Sequence, residues 1–145
     1  KIQLGASLLG ISKILDSSTS SKDDFLYNIQ LNSSLNYSIP RSKTSISLYF
    51  KHIGKQHQFV ERTNANGNQE YQKGTTASFN WLDVTVKKSF LERKIETTLG
   101  VRNLLNISSV GTTAFSGGAH TAAPQNIQLA YGRSYFLKLA YNLNL

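Results

Sequence analysis

The stretch FLYNIQLNSSLNYSI, Phe25 to Ile39, alternates apolar and polar residues along most of its length. Tyrosine, isoleucine and leucine take most odd positions, and asparagine, glutamine and serine take the even ones from Asn28 onward. Successive side chains of a β-strand point to opposite faces, so this segment should form a strand with one apolar and one polar face. The pattern runs well beyond the ~5–6 residues of an ordinary strand in a soluble protein. It therefore predicts an all-β fold with unusually long strands.

Five further segments show similar strand patterns, and no helical period of comparable length occurs. With the first stretch they predict about six antiparallel strands that follow one another as a meander. The predicted strands are approximately Ile2–Ile14, Phe25–Ile39, Thr44–Phe59, Thr75–Phe90, Lys94–Leu104 and Tyr131–Leu145.

The predicted connections between these segments differ in length. Ile39–Lys43 and Leu91–Arg93 are short, whereas Val60–Gly74 and Asn106–Ala130 are long and rich in small and polar residues. Short turns at one end and long loops at the other are typical of outer-membrane barrels, in which the turns are periplasmic and the loops extracellular. With both short turns on the periplasmic side, the sixth strand runs inward, which predicts a periplasmic C-terminus.

Two pairs of tyrosines support a membrane-spanning length. Tyr27 and Tyr37 lie ten residues apart, as do Tyr131 and Tyr141. At ~3.3 Å per residue and a tilt near 40°, ten residues cover about 25 Å, the height of the apolar band between two aromatic girdles. The alternative is a soluble, carbohydrate-binding sandwich whose partner sheet covers the apolar face. Because bacterial barrels begin at about eight strands, six strands predict a piece of a larger barrel.

Composition narrows the function classes. The chain has 145 residues, no cysteine and a formal net charge of +8. Its basic residues are dispersed, so no nucleic-acid-binding face is expected. The sequence contains no apolar run long enough to predict a transmembrane helix. Ser and His are present without a Gly-x-Ser-x-Gly motif, and we expect neither an enzyme nor a cofactor.

The segment IETTLGVRNLLNISSV, Ile95 to Val110, carries a recognisable motif. Gly100, Asn103, Leu104 and Asn106 match the pattern Gly-x-x-Asn-Leu-Phe-Asp/Asn, with Leu105 where phenylalanine is usual. This pattern resembles the penultimate strand of TonB-dependent outer-membrane receptors. The closing GRSYFLKLAYNLNL resembles the terminal strand of the Bacteroidetes-type receptors, including the SusC-like group. The resemblance covers the chain from about Trp81 onward.

The resemblance implies a transmembrane β-barrel of twenty-two strands, of which residues 1–145 would be the C-terminal six. The plug domain and earlier strands would lie outside this chain. Such a receptor imports a large nutrient (a siderophore, cobalamin, a glycan or a peptide), driven by TonB through the plug, and some partner a SusD-like lipoprotein. Two alternatives remain: a structural barrel subunit of a larger outer-membrane complex, and a barrel segment engaged by the assembly machinery.

The C-terminal octad resembles the signal read by the barrel-assembly machinery. Its candidate residues are Lys138, Ala140, Tyr141, Leu143 and Leu145. Ala140 stands where glycine is usual, and Leu145 stands where a terminal aromatic residue is usual. Odd residues of this strand should meet the lipid bilayer, and even residues should face the lumen.

Two other groups of residues are candidates for contacts. Gly117, Gly118 and His120 lie in the longest predicted loop, where extracellular binding would be built. A metal site at His120 is not expected, because His52 and His57 lie on another segment and no carboxylate is near in sequence. The lumen face should carry six charged residues among Asn, Ser and Thr: Lys51, Asp83, Lys87, Glu96, Arg102 and Lys138.

Overall fold

The structure is a computed structural model that describes residues 1–12, 25–63, 67–114 and 125–143. These residues form ten strands and two 3-10 turns, without an α-helix, so the all-β prediction is confirmed. The strands are β1 (Ile2–Ile11), β2 (Leu26–Ile39), β3 (Thr44–Ile53), β4 (Gln56–Thr63), β5 (Gln69–Thr76), β6 (Phe79–Phe90), β7 (Ile95–Arg102), β8 (Ser109–Gly111), β9 (Asn126–Gln128) and β10 (Ser134–Tyr141).

Six of these strands form the main sheet, in the order β1-β2-β3-β6-β7-β10. Every neighbouring pair is antiparallel. The strands therefore follow one another as a meander, interrupted by two small hairpins, β4–β5 and β8–β9. The predicted six-strand meander is confirmed. Within the described residues, β1 and β10 are the edges of the sheet.

The two short connections are 3-10 turns at the same end of the sheet, which we call the turn end. They comprise Pro40–Ser42 and Leu91–Arg93. Proline suits the first turn because its ring fixes φ near the helical value and its missing N–H is not needed there. The Ser89 backbone N–H donates to the Lys43 carbonyl (3.0 Å), which ties the two turns together. The opposite end, where both small hairpins lie, is the loop end.

The third and fourth predicted strands were wrong in extent, because each is broken at the loop end. Gly54 ends β3, and its N–H donates to the Ile29 carbonyl (2.9 Å). A Cβ at Gly54 would lie 3.0 Å from that oxygen, so the close approach favours glycine. The chain bends here into the β4–β5 hairpin, and part of the predicted loop Val60–Gly74 is therefore paired strand.

The remaining boundaries also differ from prediction. β1 ends at Ile11, and the predicted residues Lys13 and Ile14 lie outside the described part of the chain. β7 ends at Arg102 because Asn103 adopts a left-handed conformation (φ 53°). β10 begins at Ser134 rather than Tyr131, after a bend at Gly132 (φ 92°). In the predicted loop Asn106–Ala130, the short strands β8 and β9 pair with each other.

The buried side chains of the described residues lie towards the loop end of the sheet. They are Leu26, Asn28, Thr76, Asn103, Val110, Thr112 and Ala114. The segment after β8 docks on β5: the Thr113 N–H donates to the Thr75 carbonyl (2.7 Å), and a Cβ at Gly74 would lie 2.6 Å from the Ala114 Cα. The main sheet itself therefore has no packed core on either face over most of its length.

Candidate functional surfaces of the sheet

Register gives the main sheet two chemically different faces, because directly paired residues point to the same side. One row across the sheet is apolar: Tyr37, Ile46, Val86, Leu99 and Leu137. The adjacent row, on the other side, is largely polar: Asn36, Ser47, Thr85, Gly100 and Phe136. We call these sides the apolar face and the polar face.

The apolar face is exposed rather than packed. Leu4 is 81% exposed, Leu31 45% and Leu139 67%. Among the described strand residues of this face, Lys88 is the one charged side chain, and it lies at the turn end with its Nζ 5.3 Å from the Phe90 ring centroid. A contiguous exposed apolar surface of this kind marks contact with a membrane or with another protein surface.

Aromatic residues flank the apolar face at both ends. Tyr37, Phe90 and Tyr141 lie at the turn end, and all three are exposed. At the loop end, Phe25 and Tyr27 stack with their ring centroids 6.2 Å apart.

The turn-end tyrosines, Tyr37 and Tyr141, define a slanted line across the sheet, and Phe90 lies two residues beyond it towards the turn. The row of paired residues that starts at Tyr37 on β2 crosses four strand boundaries and ends at Leu137 on β10. Leu137 lies four residues before Tyr141. One residue of shift per strand is ~3.3 Å along the strand for every ~4.8 Å across it, a slope of about 35°. Strands of transmembrane barrels tilt by ~35–45°, so a level aromatic belt on such a barrel would have this slope.

The polar face carries all six charged residues predicted for one face, Lys51, Asp83, Lys87, Glu96, Arg102 and Lys138. Lys87 Nζ lies 2.7 Å from Glu96 Oε2. Between strands, Ser47 Oγ donates to Asn36 Oδ1 (2.7 Å) and Tyr49 Oη donates to Asn32 Oδ1 (3.4 Å). Such cross-strand pairs hold polar side chains in place on a water-facing surface.

At the loop end the polar face is covered by β4. Asn28 Oδ1 accepts from the His57 N–H (2.7 Å), and Asn28 Nδ2 donates to the His57 carbonyl (3.4 Å). Asn28 is buried by this contact, which folds the β4–β5 hairpin towards the polar side. The sequence pattern marks Asn28 only as one of several polar residues of β2. Its contact with His57 could not be predicted, because the two residues are 29 positions apart.

The motif residue Asn103 closes the end of β7. Its side chain is 1% exposed, its Nδ2 donates to the Ile107 carbonyl (2.7 Å), and its Oδ1 accepts from the Ile107 N–H (2.9 Å). The Asn103 N–H donates to Asp83 Oδ1 (2.8 Å), which links the turn to β6. Asparagine suits this position because it tolerates a positive φ and its amide reproduces backbone hydrogen bonding.

The rest of the motif connects this turn to the last strand. Asn106 Oδ1 accepts from the Arg133 N–H (2.9 Å), and the Leu104 carbonyl accepts from Arg133 Nε (3.0 Å). The Leu104 N–H donates to the Leu82 carbonyl (2.7 Å). The motif thus positions the start of β10 and presents no side-chain cluster that would bind a ligand. Arg133 was missed from sequence, since nothing local marks it as the partner of residues 104 and 106.

Gly100 makes room for an aromatic ring on the polar face. Gly100 pairs with Phe136, and a Cβ at Gly100 would collide with the Phe136 ring. The Arg102 guanidinium lies 5.4 Å from the centroid of the same ring. The glycine is therefore required by the close approach of Phe136, which shields the bare backbone of β7.

Gly100→Ala should destabilise the protein by about 1–3 kcal/mol, because the added methyl group must displace the Phe136 ring. The matched control is Gly5→Ala, which lies on the same face with nothing within 4 Å of the new Cβ and should be neutral or stabilising by ~0.4–1 kcal/mol. Equilibrium denaturant titration of the full-length protein compares the two. Equal free energies of unfolding would contradict the proposed role of Gly100.

The described residues of the C-terminal candidate signal alternate between the faces. Lys138 and Ala140 lie on the polar face and Tyr141 on the apolar face, all within β10. Leu143 follows the strand and is exposed, and Leu145 lies outside the described residues. Asn142 joins the chain end to the second turn, since its N–H donates to the Lys94 carbonyl (2.7 Å) and its Nδ2 to the Arg93 carbonyl (2.9 Å). Among the described residues no strand pairs with the outer edge of β10.

The loop candidates Gly117, Gly118 and His120 lie outside the described residues. Of the other histidines, His52 Nδ1 lies 2.7 Å from Asn80 Oδ1. In the described ranges no three His, Asp or Glu side chains form a group that could hold a metal ion.

Comparisons with known proteins give no relative for this chain. No family model, curated protein or solved structure matches it. Residues 1–12, 25–63, 67–114 and 125–143 contain no helix that is long and apolar enough to cross a membrane.

Proposed function

We propose that this chain is a wall segment of a TonB-dependent outer-membrane receptor that imports a large nutrient. In this proposal the apolar face meets the lipid bilayer and the polar face lines a water-filled lumen. The turn end, with its two 3-10 turns, is periplasmic, and the loop end is extracellular.

The observation that carries the membrane part of the proposal is the exposed apolar face with its slanted aromatic border. Within the described ranges that face has one charged strand residue, Lys88, which lies at the turn end. A charge near the bilayer midplane costs ~2–4 kcal/mol in a barrel, so an uncharged band between aromatic borders is what lipid contact requires. The ~35° slope of the line from Tyr37 to Tyr141 agrees with the tilt that a level membrane interface would impose.

The unpaired edges of β1 and β10 support membership of a larger barrel. Among the described residues the outer edges of β1 and β10 pair with no other strand, and each backbone N–H or C=O group left unpaired in hydrocarbon costs several kcal/mol. In the proposed twenty-two-stranded barrel, strands outside this chain pair with both edges. A plug domain would fill the lumen, and TonB would act through that plug.

The receptor part of the proposal rests on the motif Gly100, Asn103, Leu104 and Asn106 together with the closing strand. The hydrogen bonds of Asn103 and Asn106 give this motif a physical role in joining the last two strands. Siderophores, cobalamin, glycans and peptides are the classes of cargo that the resemblance implies, and a SusD-like lipoprotein is a partner that it allows. A structural barrel subunit would share the same wall. Deleting the TonB-contacting segment of the full-length protein would abolish uptake in a transporter and leave a structural subunit unaffected.

A cysteine scan along β2 tests the membrane part, because this chain has no native cysteine. Single cysteines at Gln30, Asn32 and Ser34 should react with a water-soluble maleimide in intact outer membranes. Cysteines at Ile29, Leu31 and Leu35 should be protected, with labelling lower by at least about tenfold. Uniform labelling of both sets would contradict lipid contact, and the reverse pattern would favour a partner sheet on the polar side.

A further inference from the structure

A polar basin lies at the turn end of the polar face. It has a volume of about 490 Å³ and is lined by three cationic side chains, one carboxylate and three serines: Lys43, Lys87, Arg93, Glu96, Ser38, Ser45 and Ser89. Nothing in the motif or in the proposed lipid contact uses these residues.

The charge of the basin is unbalanced. Three cations against one carboxylate give a formal charge of +2. Glu96 lies against Lys87, at 2.7 Å, and also accepts from Ser89 Oγ at 3.5 Å. Lys43 and Arg93 have no ion-pair partner within 4.0 Å among the described residues, so the basin retains two cations that are free to meet an anion there.

The basin is wider than a single small anion. The lining residues come from β2, β3, β6 and β7, and three strand spacings of ~4.8 Å make about 14 Å across the sheet. About four residues of extended peptide cover the same distance. Ser38 and Ser45 pair across β2 and β3, beside Lys43 rather than between Lys43 and Arg93, and their hydroxyls offer both donors and acceptors to a peptide backbone that crosses the basin.

We propose that this basin binds an acidic peptide segment that enters from the polar side of the sheet, with one carboxylate at Lys43 and another at Arg93. The proposal rests on the proposed function only in requiring that the polar face be open to water at the periplasmic mouth. Arg93 can hold a carboxylate through two parallel N–H donors, whereas Lys43 contributes a point charge. The hydroxyls of Ser38 and Ser45 can then bond the peptide backbone where it continues past Lys43 towards β2.

Zero-length carbodiimide coupling in the full-length, membrane-embedded protein tests this proposal. The carbodiimide adds to a carboxylate and activates it. A nearby lysine amine then attacks the activated carbonyl carbon to form an amide bond, and the reagent leaves as a urea. Mass spectrometry should find Lys43 or Lys87 joined to an Asp or Glu outside residues 1–145. Lys51, on the same face but nearer the loop end, is the internal comparison and should couple to such carboxylates at least about threefold less.

Two variants sharpen the result. Lys43→Gln with Arg93→Gln should lower the coupling of Lys87 to outside carboxylates by at least about threefold. Lys51→Gln with Arg102→Gln removes the same charge from the loop half of the face and should leave that coupling unchanged. Coupling that is confined to Glu96 or to another carboxylate within residues 1–145, or that is equal at Lys43 and Lys51, would overturn the proposal. The cysteine pattern of β2 can hold in either case, so the two proposals fail separately.

Discussion

Leu31→Arg should lower the free energy of unfolding in a lipid bilayer by about 2–4 kcal/mol. Leu31 lies on the apolar face, four residues from Tyr27 and six from Tyr37, which places it near the middle of the proposed membrane span. A guanidinium at this depth must either lose its hydration or draw water into the bilayer. Denaturant titration of the full-length protein folded into lipid vesicles measures the loss.

The neighbouring substitution Gln30→Arg is the matched control. Gln30 points to the polar face, so the same charge should change stability by no more than about 0.5 kcal/mol. Tyr37→Arg, on the apolar face but at the turn end, should cost only ~0–1 kcal/mol because the effect decreases towards the interface. A loss that is the same at residues 31 and 37 would argue against a bilayer and for a covering protein surface.

Asn103→Ala should destabilise the protein by about 2–4 kcal/mol. It removes two hydrogen bonds to Ile107, leaves the N–H and C=O of that residue without partners, and places a side chain with no compensating bond at a φ of 53°. The loss should appear as a lower denaturant midpoint with an unchanged slope.

Two further variants separate the causes. Asn103→Gly keeps the left-handed backbone unstrained while losing the same side-chain bonds, so it should recover roughly 1 kcal/mol of the loss. Asn126→Ala removes an exposed asparagine and should stay within about 0.5 kcal/mol of the parent protein. If Asn103→Ala behaved like Asn126→Ala, the motif would owe its pattern to something other than this turn.

The long strands could be predicted from sequence because their signal is local. The alternation in β2 fixes the two faces without any knowledge of neighbours, and the short turns at Pro40 and Leu91 fix which strands are adjacent. For the same reason the six charged residues of the polar face could be assigned together. Each depends only on its parity relative to an apolar neighbour on the same strand.

The loop end could not be predicted, because its structure depends on distant backbone contacts. The bend at Gly54 requires the carbonyl of Ile29, and the docking of Thr113 requires the carbonyl of Thr75. Neither partner can be inferred from the polar, glycine-containing segments themselves. The extended pattern of residues 44–59 therefore reads as one strand, although the chain turns away from the sheet after Ile53.

The motif was found from sequence, but its role required the structure. Gly100 and Asn106 stand out by resemblance, yet the ring of Phe136 and the backbone N–H of Arg133 explain why they matter, and both lie on the last strand or just before it. The basin at the turn end was also hidden. Lys43 and Arg93 are dispersed in sequence and come together only through the pairing of β3 with β6 and of β6 with β7.

The exposed apolar face has a consequence for the route that the proposed outer-membrane location requires. On that route a newly made chain crosses an aqueous compartment with side chains such as Leu4, Leu99 and Leu139, which the described residues leave exposed, and with the outer edges of β1 and β10 unpaired among those residues. Premature folding in water would bring these surfaces together between molecules, since exposed edges and apolar strands are templates for aggregation. We therefore expect transit to depend on a holding chaperone that keeps the strands apart until lipid is available.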